Sequence, residues 1–339
     1  MVKTIKIKGG AGDSSVIVGE SILNLGSYVP VEKTIIITDR NVWSLYGKDF
    51  PPCRVIKIKP GEKAKNLNTV RGIYEKLVEW EADRSSYIVG IGGGVVCDIA
   101  GFAASTFLRG VRIGFVSSTL LAQVDASTGG KNGVNLGGYK NIVGIFSQPE
   151  FVLCDLSLLE TLPQRELLNG FAEIIKHAVI CDRELFDFLE ENHKKALSLD
   201  RDVIGKLVYD SIRIKSMIVS RDEKEKDERR KLNFGHTFGH AFEKTLAVLH
   251  GEAVAAGMIK AGEISVKKGL LKKEELDRIK KLIRRFGLPV RFRFDRNKVF
   301  DAIKRDKKRN DSFIHFALLS GIGSSVVREI PISELEKEI

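Results

Sequence analysis

Hydrophobic residues recur in two rhythms along these 339 residues. Up to about residue 155 the apolar runs are short and rich in Ile and Val: TIKIK, SVIVG, TIIITD at 34–39, VIKIK, SSYIVGIG, RIGFV and FVLCD at 151–155. Runs of this length bounded by turn residues predict strands, the first two forming a hairpin. NTVRGIYEKLVEW between two of them has helical periodicity, so the first part alternates strand and helix. Beyond residue 155 the period lengthens. RELLNGFAEIIKHAVI, RELFDFLEENHKKAL and DVIGKLVYDSIRIKSMIVS each place apolar residues on one helical face. In the last of these Ile212, Ile214, Met217 and Ile218 are expected to pack inward. The change of rhythm sets a domain boundary near residue 155: an α/β domain over 1–155, then a mostly α-helical domain over 156–339.

Two stretches carry chemistry in the first domain. SSYIVGIGGGVVCDIAGFAAS runs from a strand through Gly90, Gly92, Gly93 and Gly94 into a helix of small residues. Backbone amides at such a helix start donate to a pyrophosphate, and Asp39 at the end of TIIITD stands where a carboxylate can accept from ribose hydroxyls. Val95 occupies the third glycine position of GxGxxG, and an Asp after a strand also serves to cap a helix. The expected class is nonetheless a Rossmann-like nucleotide-binding domain. Asp98 and Arg109 add charge where the core ought to be dry. Further on, Ser118 and Thr119 precede a second glycine-rich segment, expected to be a loop lined by Asp125, Lys131, Lys140 and Asn141.

In the second domain, RRKLNFGHTFGHAFEKTLAVLHGE at 229–252 holds three of the six histidines. Arg229, Asn233, His236 and His240 fall at i, i+4, i+7 and i+11, one polar stripe if the segment is a single helix. His236 and His240 have the spacing by which one helix offers two imidazoles to one ion, and His250 follows just before a glycine. Glu173, with Lys176 and His177 on the same helical face, supplies a carboxylate inside an apolar run. One Glu and two His leave open positions on zinc, the pattern of a catalytic site. Neither HExxH nor HxxEH is present.

Composition narrows the field. No run of about 18 apolar residues occurs and MVKTIKIKGG lacks the apolar core of a signal peptide, so the expectation is a cytoplasmic protein with no membrane span. Cys53, Cys97, Cys154 and Cys181 are too far apart for a CxxC pair, which argues against a zinc ribbon or a disulfide framework. With 55 Lys and Arg against 44 Asp and Glu the chain is basic, suiting an acidic small molecule or a nucleic acid. The mixed run RDEKEKDERR is expected to be a solvated helix start, and KKEELDRIKKLIRR an amphipathic helix. Neither interleaves aromatic with basic residues as a strand-binding surface would.

Assembled in order, PGEKAK, GGGVVCDIAGFAASTFLRG, TLLAQVDASTGGKNGVN, YKNIVGIFSQP, LPQRELLNGFAEIIKH, NFGHTFGHAFE, HGEAVAAGM and the late DKK at 306–308 resemble the 3-dehydroquinate synthases, a branch of the sugar phosphate cyclases. The resemblance covers almost the whole chain. It implies zinc, or cobalt in its place, on Glu173, His236 and His250. It implies a substrate pocket of Asp125, Lys131, Asn141, Arg109, Lys176, Lys215, Arg229, Asn233, His240 and Lys307, so that His240 becomes a substrate contact and not a ligand. For NAD it implies Asp39, Glu62, Lys65, Gly92, Gly93, Gly94, Asp98, Ser118, Thr119, Lys131, Lys140 and Thr161. Asn132, Ser118 and Tyr139 depart from the residues usual in that family.

The implied reaction converts 3-deoxy-D-arabino-heptulosonate 7-phosphate (DAHP) into 3-dehydroquinate and phosphate, with NAD regenerated in each turnover. The implied partners are that small molecule and a second copy of the chain as a homodimer, with no nucleic acid and no membrane. Three other readings stay open at this point. A sister cyclase would act on another sugar phosphate, a metal-dependent alcohol dehydrogenase would release NADH, and a basic nucleic-acid-binding protein would hold a structural zinc.

Overall fold

The computed structural model describes residues 2–8, 12–223, 225–306 and 313–338. The chain forms two compact units, Met1–Leu162 and Pro163–Ile339. Residues 156–162, which the pattern of the sequence puts after the boundary, stay with the first unit, where Leu158 is part of the core.

In the first unit β1 (Lys3–Ile7) and β2 (Ser14–Val18) pair antiparallel, as the sequence predicts. There follow β3 (Thr34–Asp39), α1 (Arg40–Tyr46), β4 (Arg54–Ile58), α2 (Leu67–Glu79), β5 (Tyr87–Gly92), α3 (Gly94–Thr106) and β6 (Arg112–Ser117). A hairpin of β7 (Lys131–Leu136) and β8 (Tyr139–Phe146) then leads to β9 (Phe151–Cys154). Seven strands form one sheet in the order β1-β2-β9-β6-β5-β3-β4, parallel from β2 to β4. Its inner strands are apolar without alternation because both faces are covered: Ile36, Ile37, Ile88, Val89, Ile91, Val116, Val152 and Leu153 have no exposed surface.

From β3 the chain winds outward to β4, then returns to the other side of β3 as β5 and continues to β6. The direction therefore reverses between β3 and β5. A sheet wound this way opens a crevice at the carboxyl ends of those two strands. Asp39 ends β3 and Gly92 ends β5, one residue beyond the paired Thr38 and Ile91.

The second glycine-rich segment is not the loop expected from its composition. Gly137 and Gly138, with φ of +59° and +80°, make a two-residue turn whose twist matches paired strands. Asn132 closes the base of this hairpin by donating to the carbonyls of Gly130 at 3.1 Å and Ser147 at 2.8 Å. It also fills the place of a side chain at Gly101 of α3, where a Cβ would lie 1.9 Å from its Oδ1.

The second unit consists of α4 (Gln164–Cys181), α5 (Arg183–Leu197), α6 (Arg201–Arg221), α7 (His236–Leu246), α8 (His250–Lys267), α9 (Lys273–Arg285), α10 (Arg296–Asp306), the hairpin β10 (Phe313–Gly321) and β11 (Ser324–Pro331), and α11 (Ile332–Glu338). α9 buries Leu276, Ile279, Leu282 and Ile283 as its pattern predicts. In α6, Ile212, Ile214 and Ile218 are buried, whereas Met217 is exposed. The run RDEKEKDERR starts no long helix. α6 ends at Arg221 and the charges lie in the connection and in a 3₁₀ turn, Glu228–Asn233. Among the described residues no helix is long and apolar enough to cross a membrane.

α7 and α8 pack almost backbone to backbone. A Cβ on Gly257 would lie 2.1 Å from the Gly235 carbonyl oxygen, and one on Gly239 would lie 3.3 Å from the Val254 backbone. α8 meets α4 in the same way, since a Cβ on Gly251 would lie 2.5 Å from the Asn169 carbonyl oxygen. Gly257→Ala is expected to force α7 and α8 apart and to cost about 1–3 kcal/mol in urea-melt stability. Gly72→Ala, in the middle of α2 with open space around it, is expected instead to gain about 0.4–1 kcal/mol.

Candidate active site

α4, α7 and α8 bring three donors together. Glu173 projects from the middle of α4, His236 is the first residue of α7 and His250 the first of α8. Their ligand atoms all lie within 4.8 Å of one another. Glu173 Oε1 is 3.1 Å from His250 Nε2 and 3.5 Å from His236 Nε2, and the two ring centroids are 5.3 Å apart. The start of α8 is fixed by Gly251, whose amide donates to Asn169 Oδ1, and by Glu252, which accepts from Leu249 N at 3.0 Å.

The polar stripe is real only in part. Gly235, at φ +81°, breaks the segment, so Arg229 and Asn233 sit on the 3₁₀ turn while His236 and His240 sit on α7. A side chain at Gly235 would strike Met258 N and Val254 O, so the same close packing imposes the break. His240 is exposed, one turn beyond His236, and lies outside the three-donor cluster. The pair suggested by i, i+4 spacing is thus not the pair that converges with Glu173.

Glu173 is fully buried and forms an ion pair with Lys176, itself buried one turn along α4. Burial on its own raises the Glu173 carboxyl, but Lys176, His236 and His250 outweigh it and hold the group well below the usual carboxylate range. Burial and then Lys176 push His236 well below its ordinary value. Burial also disfavours a charged His250, yet contacts with Glu173 and Glu243 push it up to about 10. A carboxylate and two imidazoles are donors suited to a borderline divalent ion such as zinc or cobalt, and the donor set fits that group.

The other assigned residues of this unit are partly gathered. Lys215 on α6 is buried and does not point to water. Arg229 is buried and donates to the Glu223 carbonyl, while Asn233 donates to Glu225 Oε1 at 2.5 Å. Asp222, which no motif in the sequence singles out, shapes this connection by accepting from the amides of Lys226, Asp227 and Arg229. His177 contacts Ser211 Oγ on α6, a helix-to-helix tie. Lys307 lies outside the described residues.

In the first unit the crevice end of the sheet collects most of the cofactor assignments. Asp39 Oδ1 accepts from Asn41 N at 2.8 Å and Val42 N at 3.0 Å, so Asp39 caps α1 with one carboxylate oxygen. Gly93 caps α3 without a side-chain bond, and a Cβ there would press on Thr119 at 3.0 Å. Ser118 N donates to the Gly92 carbonyl, and Thr119 Oγ1 accepts from Ala122 N at the start of the π-helical turn that bears Asp125. Lys65 is buried in an ion pair with Asp98 of α3. Asn135 ties Glu62 to the hairpin, donating to Glu62 Oε1 at 2.7 Å and accepting from Asn141 N at 2.8 Å.

Lys131, Lys140 and Asn141 are exposed on that hairpin, as is Tyr139. Thr161 is exposed and bonded to Tyr46. Arg109, which the resemblance implies as a substrate contact, lies beyond the end of α3 away from the glycine cluster. It is exposed, not in the core, and follows the far end of α3, a 13-residue helix, roughly 20 Å away along the axis at 1.5 Å per residue.

Residues 55–169 match the family profile described as 3-dehydroquinate synthase N-terminal, and residues 170–309 the one described as 3-dehydroquinate synthase C-terminal. A 3-dehydroquinate synthase of Ruminiclostridium cellulolyticum is 40% identical over 332 residues, covering 95% of this chain and 92% of that protein. Among solved structures, a 2-epi-5-epi-valiolone synthase from Streptomyces hygroscopicus with NAD+ and Zn2+ bound superposes with a TM-score of 0.88, at 28% identity, over 98% of this chain and 96% of its own. A 2-deoxy-scyllo-inosose synthase complexed with carbaglucose-6-phosphate, NAD+ and Co2+ superposes with a TM-score of 0.87, at 26% identity, over 99% and 98%. Two consecutive profiles and a relative matched along nearly the full length establish that the chain belongs to the 3-dehydroquinate synthase family.

Proposed function

We propose that the chain catalyses the 3-dehydroquinate synthase reaction, converting DAHP into 3-dehydroquinate with loss of phosphate, a carbon–oxygen lyase step of the shikimate route to aromatic amino acids. The observation that carries the reading is the convergence of Glu173, His236 and His250, in a chain whose relative at 40% identity is a 3-dehydroquinate synthase. In this reading the metal is zinc, with cobalt able to stand in, and NAD occupies the crevice beside Asp39 and the Gly92–Gly94 turn. The four free cysteines suit a reducing cytoplasm. A homodimer is part of the same reading.

When bound, the two groups supply a Lewis acid at a secondary alcohol and a reversible acceptor for its hydride. The chain's own residues do the rest. Glu173 and two neutral imidazoles leave open positions for substrate oxygens. Lys176 balances the charge of Glu173. Lys215 and Arg229, buried cations, suit the phosphate and carboxylate of the substrate, with Lys131 and Lys307 as further cations. Asn233, Asn141, His240 and Asp125 suit its hydroxyls. Asp98 steadies Lys65, and the amides around Gly93 face the pyrophosphate.

The decisive assay follows phosphate release from DAHP with substoichiometric NAD. Release that needs NAD, accumulates no NADH and stops with chelator is the expected result. Turnover of a different sugar phosphate in place of DAHP would move the chain to a sister cyclase, and steady NADH accumulation from an alcohol to the dehydrogenases.

The state of His250 gives a pH prediction. With its ionisation pushed up to about 10, the metal-free site holds a proton on His250 at neutral pH, and zinc must displace it. Zinc affinity should therefore rise with pH, by about tenfold per unit through the neutral range, with about one proton released per ion bound. Calorimetry in buffers of different ionisation enthalpy reads the proton, and pH-independent binding would exclude His250 as a ligand. Glu173→Ala should lose the metal and keep the fold.

Lys215→Ala is expected to lower kcat/KM for DAHP by roughly tenfold to a hundredfold, the loss of one hydrogen bond to a charged group. Lys215→Met, which keeps the buried stem, should lose a similar amount while melting near wild type. Wild-type kinetics in either variant would remove Lys215 from the pocket.

A further inference from the structure

We infer that Glu243 is the positioning residue of the three-donor centre, holding the His250 imidazole in the tautomer and orientation that present Nε2 to the metal. The inference rests on the metal reading above. His236, His240 and Glu243 fall at i, i+4 and i+7 on α7, so they share one face. From the last of these positions Glu243 reaches across the corner at Ala247, which is left-handed at φ +51°, to the first residue of α8. Its Oε2 lies 3.4 Å from His250 Nδ1, while His250 Nε2 lies 3.1 Å from Glu173 Oε1. The ring is thus held between two carboxylates carried by different helices, and Glu243 itself is only 12% exposed.

The logic is that of a two-ended base. An imidazole that binds a metal through Nε2 keeps its one proton on Nδ1, and that N–H needs an acceptor. His236 has one in the Phe234 carbonyl oxygen, 3.3 Å from its Nδ1, with its Nε2 turned toward Glu173. His250 has Glu243. Both rings thus point Nε2 inward and Nδ1 at an acceptor, but only the second acceptor is a side chain. A carboxylate in that place fixes the ring and makes the liganding nitrogen more basic.

Zinc affinity measured by competition with a chelating dye tests this. Glu243→Ala is expected to weaken zinc binding about tenfold to a hundredfold. Glu243→Gln, which keeps a neutral acceptor, should fall between it and wild type. The visible bands of the Co2+-loaded protein should shift in Glu243→Ala, since they report ligand geometry, while metal-free melting and NAD binding stay near wild type. Zinc binding by Glu243→Ala as tight as wild type, with unchanged Co2+ bands, would overturn the inference alone. A wild type that takes up no zinc would remove the metal reading and this inference together, and loss of zinc only in Glu173→Ala would leave the reading standing without Glu243.

Discussion

A carboxylate with no access to water is the constraint around which the second unit is arranged. Glu173 is fully buried in the middle of α4, and a buried ion has an effective penalty of several kcal/mol unless cations and hydrogen bonds compensate it. Compensation comes from the ammonium of Lys176 and from the proton on His250. Lys176 comes from α4 itself, whereas the two imidazoles come from α7 and α8. His236 and His250 are helix-first residues, so they reach Glu173 only because α7 and α8 approach each other, and α8 approaches α4, at glycines. Packing of backbone on backbone and the electrostatics of one carboxylate are therefore a single problem. A metal would take over from the proton as the compensating charge.

The first unit answers a different constraint. A parallel strand has to be followed by a crossover, and covering both faces of the sheet leaves its strands apolar throughout. The polar residues are pushed to the strand ends, where β3 and β5 part company. Asp39 shows what a polar residue does there: its Oδ1 caps the start of α1 by accepting from Asn41 N and Val42 N. Lys65 and Asp98, a buried cation and its anion, tie the turn after β4 to α3. Asn132 meets the same need for order at the hairpin, where its amide ties together the two ends of the turn-back.

What the sequence made legible follows from the range of each signal. Buried strands, amphipathic helices and the strand–glycine–helix unit are local patterns, and they appear where the pattern puts them. The β7–β8 hairpin is not legible in the sequence, because a glycine-rich segment predicts a loop, whereas two adjacent positive-φ residues make a tight turn between strands. β10 and β11 were missed because FIHFALLS follows a long helical stretch and lacks alternation. Met217 faces outward on α6, whereas Ile214 and Ile218 beside it are buried. The three donors come from three helices separated by up to 77 residues, a relation that no local period encodes. Residue chemistry alone suggests one Glu with two His, and the ordered blocks shared with the 3-dehydroquinate synthases are needed to choose His250 over His240.

His236 and His240 share one face of α7, yet only His236 meets Glu173. The i, i+4 rule puts two imidazoles on one face of a helix, and α7 obeys it, with ring centroids 5.4 Å apart. It does not say which way the face looks. At the first turn of α7 the glycine-mediated contact with α8 turns His236 inward, where it meets a carboxylate from α4. One turn later the same face is in the open, so His240 is exposed. Two turns along it is again partly covered, and Glu243 there meets His250. The face is uniform in sequence and differentiated by what packs against it. An imidazole turned to the buried carboxylate, a solvent-facing imidazole and a carboxylate partner are therefore set along one helix by its neighbours, and identical spacing on another packing arrangement would distribute those positions differently.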